Sequence, residues 1–158
     1  MRSSTDIKTL VREGYNRISS EYAATRDRSW PSGECMKDWL KDNIESGMKI
    51  LDLGCGAGQL VEVLHQTGKK LDYIGVDISS ELLAEAWNSF GSQYHNVNCK
   101  WLEGDMENLE LDDEAFDIVC VIASLHHVPS VASRDFVISE LYSWLKPGGY
   151  LCLSLIHI

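Results

Sequence analysis

The chain has 158 residues, 44% of them hydrophobic and 24% charged, with a formal net charge of −10. These values exclude a disordered chain and leave room for one domain with a sizeable core, not two. The acidic balance opposes a broad phosphate-binding face, and the sequence shows neither a signal-like start nor a long uncharged apolar stretch, so a cytoplasmic protein without a membrane partner is expected.

The charge is uneven. Residues 1–31 carry Arg2, Lys8, Arg12, Arg17, Arg26 and Arg28 against Asp6, Glu13, Glu21 and Asp27, so the acidity lies in the remainder. Ile7, Leu10, Val11, Ile18 and Tyr22 have helical spacing and predict a helix over 6–24. After the Trp30-Pro31-Ser32-Gly33 break, a second helix follows with Met36, Trp39 and Leu40. Residues 1–47 are read as a helical lid.

From Met48 the pattern changes to short apolar runs that alternate with amphipathic segments. Strands are predicted over 49–53, 73–77, 100–103, 116–123 and 150–155, with helices over 59–66, 81–90 and 133–145. Trp144 to Tyr150, with Pro147-Gly148-Gly149, ends the last helix and starts the last strand. Apolar strands alternating with helices specify an α/β fold, a doubly wound, mostly parallel sheet covered on both faces. The five cysteines (Cys35, Cys55, Cys99, Cys120, Cys152) are scattered singly, so reduced thiols and no metal site are expected.

The strongest motif is Ile50-Leu51-Asp52-Leu53-Gly54-Cys55-Gly56-Ala57-Gly58, a strand running into a glycine-rich turn that opens a helix. Such glycines let backbone N–H groups approach a ligand closely. The spacing is G-x-G-x-G with a carboxylate upstream, where a dinucleotide turn needs G-x-G-x-x-G, which disfavours a nicotinamide-dependent oxidoreductase. Three further features fall at successive strand ends. Asp77 closes Tyr73-Ile74-Gly75-Val76-Asp77 and suits a ribose diol, with a helix-capping acid as the plainer alternative. Asp105 and Met106 in Glu103-Gly104-Asp105-Met106 suit an adenine, as acceptor and apolar wall. The run Phe116 to His127 ends in Ile122-Ala123-Ser124-Leu125-His126-His127, where His126 and His127 are candidate proton acceptors or substrate-orienting donors.

These motifs, in this order over about residues 48 to 152, resemble the class I S-adenosylmethionine-dependent methyltransferases. The resemblance implies a Rossmann-like fold and S-adenosylmethionine as cofactor. Asp52 would then serve the cofactor's ammonium group, directly or through water. Cofactor-binding residues would be Tyr15, Arg26, Asp52, Gly54, Cys55, Gly56, Gly58, Asp77, Ile78, Asp105, Met106, Ile122 and Ala123, with His126 and His127 as the catalytic candidates.

The stretch Val11-Arg12-Glu13-Gly14-Tyr15-Asn16-Arg17-Ile18-Ser19, with Thr25-Arg26, Trp30-Pro31 and Ile122 to His127, is similar more narrowly to the tRNA wobble-uridine carboxymethyl methyltransferases. That likeness implies a carboxymethyl acceptor on tRNA and a small zinc-binding activator subunit as partner. It would also have Tyr15 and Arg26 close over the cofactor, Arg26 near its carboxylate, and both histidines flank the substrate entrance. A carboxylate acceptor needs no base, since methyl transfer is an in-line displacement that asks chiefly for alignment and exclusion of water. A small-molecule methyltransferase and a non-catalytic cofactor-binding protein are the alternatives. The core over 48–152 is expected to lack its last strands. Residues 153–158 are expected to be a non-native tail encoded by a sequencing-library DNA end, leaving the fifth strand at an unprotected sheet edge.

Overall fold

The structure, a computed structural model, describes residues 4–25, 34–91 and 94–154. Five helices and five strands follow one another as α1 (Ser4–Thr25), α2 (Glu34–Asn43), β1 (Lys49–Leu53), α3 (Leu60–Gln66), β2 (Leu71–Asp77), α4 (Ser80–Phe90), β3 (Val97–Glu103), β4 (Phe116–Ile122), α5 (Val131–Trp144) and β5 (Leu145–Ser154). A short 3-10 turn over Leu125–His127 lies between β4 and α5. The strands form one parallel sheet in the order β3-β2-β1-β4-β5. Sequence order reverses across β1 and β4, so their C-terminal ends form the crevice where such sheets bind ligands.

Strand alternation builds two cores from one sheet. On one face Ile50, Tyr73, Ile118, Cys120 and Cys152 pack with Leu40 of α2 and Leu60 and Leu64 of α3. On the other, Leu51, Leu53, Val119 and Val121 pack with Val137, Leu141 and Trp144 of α5. Each fully buried aliphatic side chain contributes roughly 1.5–3 kcal/mol before ordering costs. Side-chain caps fix the starts of α4 and α5: Ser79 Oγ accepts from Leu82 N at 3.2 Å and Ser130 Oγ from Ser133 N at 3.0 Å.

The expected strand boundaries move most at β3 and β5. Strand β3 begins at Val97, not residue 100: on this edge strand Val97, Cys99 and Trp101 lie on the more buried face and Asn98 and Lys100 on the exposed one. Strand β5 begins at Leu145, directly after α5, and Pro147-Gly148-Gly149 lies within it. Leu145 pairs with Phe116 and Tyr150 with Ile118, so the intervening residues bulge opposite Asp117, whose carboxylate takes Lys146 Nζ at 2.8 Å. Leu153 and Ser154 pair with Val121 and Ile122, within the strand expected over 150–155; residues 155–158 lie outside the described residues.

The apolar stripe expected on α1 is only partly its inner face. Val11 and Tyr22 turn inward over the strand ends, together with Lys8 and Tyr15, and Ser19 is buried, while Leu10 and Ile18 are exposed. Helix α2 packs in the core beside α3 and contributes nothing to the cavity described below, so among the described residues α1 alone roofs it. No helix of the described residues is long and apolar enough to cross a membrane.

Candidate cofactor site

Strand β1 ends in a turn whose backbone is folded back on β2. Gly54 N and Cys55 N both donate to the Val76 carbonyl, at 2.8 and 3.0 Å. Gly54, at φ +72°, leaves no room for a side chain, because a Cβ there would stand 2.3 Å from Ser124 Cβ. Ser124 Oγ in turn donates to the Leu53 carbonyl at 2.7 Å, which locks the end of β4 against the end of β1. Ala123, just before it, holds φ 51°, a left-handed conformation that a non-glycine residue keeps only when its surroundings impose it.

At the end of β2, Asp77 is almost fully buried and held by backbone donors. Gly56 N reaches its Oδ2 and Ser79 N its Oδ1, each at 2.9 Å. Burial raises its pKa above the ordinary carboxylate value, against the pull of the Ser79, Gly56 and Ile78 amides. Ser79 caps α4, so Asp77 does not serve as that helix's capping residue.

Past β3, the Asp105 carboxylate accepts from Glu107 N at 3.0 Å through Oδ1 and from Lys8 Nζ at 2.7 Å through Oδ2. Lys8 also lies 2.8 Å from Glu107 Oε1. Burial lowers the Lys8 pKa, but the two carboxylates outweigh it and hold the ammonium above the ordinary lysine range.

Helix α1 therefore touches the chain just past each of β1, β2, β3 and β4. Lys8 meets Asp105 after β3, and Asn16 Oδ1 accepts from Ser79 Oγ at 2.6 Å after β2. The Tyr15 hydroxyl lies 2.9 Å from His127 Nε2 after β4. The Tyr22 ring would be 3.7 Å from a Cβ on Gly56 after β1. Between this roof and the strand ends lies a cleft open to solvent at its mouth.

Of the residues singled out from the sequence, Tyr15, Gly54, Gly56, Asp77, Ile78, Asp105, Met106, Ile122, Ala123 and His127 line this cleft. Asp52, Cys55, Gly58 and His126 do not. Asp52 points to the Ile50 face behind the turn, where its carboxylate accepts from Tyr73 Oη at 2.8 Å. Burial pushes its pKa up to about 7, with the Tyr73 hydroxyl lowering it and the Asp77 charge adding to the rise. Cys55 is buried against Gly75, and Gly58 makes way for the Trp101 ring, which a Cβ would meet at 2.6 Å. Buried Nδ1 of His126 makes no hydrogen bond. Arg26 lies outside the described residues.

Sequence reasoning assigned no site role to Lys8, Val11, Tyr22, Glu107, Ser124 or Val128, which also line the cleft. The four on α1, counting Tyr15, stand at 8, 11, 15 and 22, a helical face readable once its mixed polarity is accepted.

Residues 51–153 match the family described as a methyltransferase domain. The chain is 29% identical over 91% of its length to the demethylmenaquinone methyltransferase of Lactobacillus johnsonii, spanning 57% of that protein. It is 29% identical over 98% of its length to the tRNA (carboxymethyluridine(34)-5-O)-methyltransferase of Arabidopsis thaliana, spanning 35% of it. Among solved structures, a Haloferax volcanii methyltransferase in complex with the Trm112 methyltransferase activator is similar in fold, with a TM-score of 0.72 and 24% identity over 89% of this chain and 58% of that one. A SAM-dependent methyltransferase of Methanosarcina mazei gives a TM-score of 0.60 and 28% identity over 72% of this chain and 54% of that one. The chain thus spans only part of the curated relatives it matches.

Proposed function

Because the chain belongs to the methyltransferase-domain family, matched over residues 51–153, we propose that the cleft under α1 holds S-adenosylmethionine and that the protein is a methyltransferase whose acceptor enters beside Tyr15 and His127. The observation that carries this reading is that two strand-end carboxylates, Asp77 and Asp105, and the side-chain-free backbone of Gly54 and Gly56 line one cleft.

The residues present fit the cofactor. Each Asp77 oxygen accepts one backbone N–H and keeps a further lone-pair direction for a ribose hydroxyl. Asp105 offers an acceptor for an exocyclic amine, with Ile78, Leu82 and Met106 as an apolar wall for a purine. Asp52 supports the turn from behind through its bond to Tyr73, and Cys55 and Gly58 shape the turn. Bound there, S-adenosylmethionine supplies a methyl group activated by its sulfonium. The protein's own part is to align the acceptor and exclude water, for which α1 provides the roof. His127, which burial and then the His126 charge hold below the ordinary imidazole pKa, is neutral at pH 7 and able to accept a proton from a hydroxyl or amine acceptor.

For the acceptor, we favour the carboxymethyl group of a modified wobble uridine in tRNA, supported by the motif resemblance and by the Arabidopsis relative. In that reading a small zinc-binding activator subunit is the expected partner; the fold relative from Haloferax volcanii was solved with the Trm112 activator. A small ring acceptor is the second reading, favoured by the net charge of −10 and by the largely apolar and aromatic acceptor end formed by Val11, Tyr15, Tyr22 and Val128. Methyl-labelled cofactor offered with an anticodon stem-loop bearing 5-carboxymethyluridine, and separately with a hydroquinone, separates them. Label in the RNA supports the first reading, and label in the quinol alone the second. A chain that binds cofactor yet labels neither acceptor fits the non-catalytic alternative.

A further inference from the structure

Lys8 belongs to the roof helix, far in sequence from the loop it contacts, yet its ammonium sits between two carboxylates that line the cleft. Asp105 Oδ2 lies at 2.7 Å and Glu107 Oε1 at 2.8 Å, with the three side chains 21%, 24% and 13% exposed. Glu107 Oε1 is buried without a directional hydrogen bond, so Lys8 balances its charge through space. Asp105 is held on both oxygens: Oδ1 by the Glu107 amide at 3.0 Å, and Oδ2 by Lys8 and, more loosely, by Asn108 Nδ2 at 3.3 Å. A carboxylate offers about four acceptor directions, so Asp105 retains capacity for one further donor, in an orientation fixed by the first contacts.

Two carboxylates around one point repel each other unless a cation stands between them. Without the Lys8 ammonium, Asp105 loses the contact that fixes its Oδ2 and is pushed away from Glu107, so it no longer presents an oriented acceptor to an amino group.

We infer that Lys8 is a positioning residue of the cofactor site: by neutralising and orienting Asp105 it sets the preference for a purine that carries an exocyclic amine. The inference rests on the cofactor reading above. It gives the roof helix a share in ligand selectivity as well as in closure.

The test uses two ligands, S-adenosylhomocysteine and its analogue lacking the 6-amino group, each titrated calorimetrically into the wild-type chain, Lys8→Met and Lys8→Arg. The wild type is expected to prefer the amino ligand by about tenfold or more, the range for a hydrogen bond to a charged group. In Lys8→Met this preference falls to about twofold or less, because the acceptor is lost to one ligand only; Lys8→Arg, which keeps the cation, retains most of it. If Lys8→Met weakens both ligands by the same factor and the preference persists, Lys8 is a tether and the inference fails. A wild type that binds both ligands equally well also overturns it. A wild type that binds neither overturns the cofactor reading itself. Should Lys8→Met fail to fold, Lys8→Gln removes the charge at similar length and must show the same loss of preference.

Discussion

The Tyr15 hydroxyl and Nε2 of His127 lie 2.9 Å apart, joining residues 112 positions distant in sequence, and their rings meet edge-on at 5.4 Å. This contact ties the roof helix to the end of β4, where the acceptor is proposed to enter. Tyr15→Phe keeps the ring and removes the hydrogen bond. Methyl transfer to whichever acceptor is identified should fall by about fivefold, the rate equivalent of roughly 1 kcal/mol, while the protein remains folded. Steady-state rates beside thermal unfolding check this; an unchanged rate would separate Tyr15 from the acceptor end.

His127 itself gives a pH prediction. Its folded-state pKa is lowered, first by burial and then by His126, so its neutral form persists as pH falls through the ordinary imidazole value and is lost only below it. Stability linked to this group is present above the unfolded pKa and declines on acidification. Nitrogen-detected NMR of ring-labelled protein should show the His127 ring titrating below the usual range. A midpoint at or above 6.5, its ordinary value, would contradict the packing described.

Gly54→Ala should be strongly destabilising. It places a Cβ 2.3 Å from Ser124 Cβ at a backbone φ of +72°, and overpacking alone costs about 1–3 kcal/mol. Denaturant unfolding is expected to show a loss near the upper end of that range. Introducing Ser124→Gly as well should recover part of it, because the clash is relieved while the left-handed conformation remains.

Asp52 lends the fold a pH dependence of the opposite sign to that of His127. Unfolded, it ionises near 3.8; folded, near 7. Between those values the folded chain holds a proton that the unfolded chain has released. Its stabilising contribution is therefore full below about pH 4 and is lost as pH rises through 7. Asp52→Asn, which stays neutral, should gain stability relative to wild type between pH 5 and pH 8, on the order of 2–4 kcal/mol. Any cost of seating the amide beside Tyr73 is the same at both pH values, so the difference is the test. Parallel melting curves that keep a constant gap would show that Asp52 is not held in this way.

The sheet was readable because its strands are nearly continuous apolar runs, and the glycine turn because its spacing is unusual. Asp77, Asp105 and His127 were likewise legible, each standing at the end of an apolar strand, and all three reach the cleft. Asp52 shows where motif reading falls short of period-two geometry. It shares a face with Ile50, and that face leads to Tyr73 and the α3 core, away from the cleft. The roof was hidden for a different reason. A helix that covers a polar ligand presents Lys8, Tyr15 and Asn16 inward, and hydrophobic periodicity ranks Leu10 and Ile18 above them although both face solvent. Likewise β5 was cut short because Pro147-Gly148-Gly149 reads as a turn, when the sheet absorbs it as a bulge against Asp117.

The central claim is that the cleft under α1 binds S-adenosylmethionine through Asp77. Its most direct test is calorimetric titration of S-adenosylmethionine into the wild-type chain and into Asp77→Ala, with folding of both verified by circular dichroism. Saturable wild-type binding is expected, weakened in Asp77→Ala by about 1.5–3 kcal/mol, the typical loss for a charge-assisted hydrogen bond. No binding to the folded wild-type chain, or equal affinity in the folded variant, would contradict it.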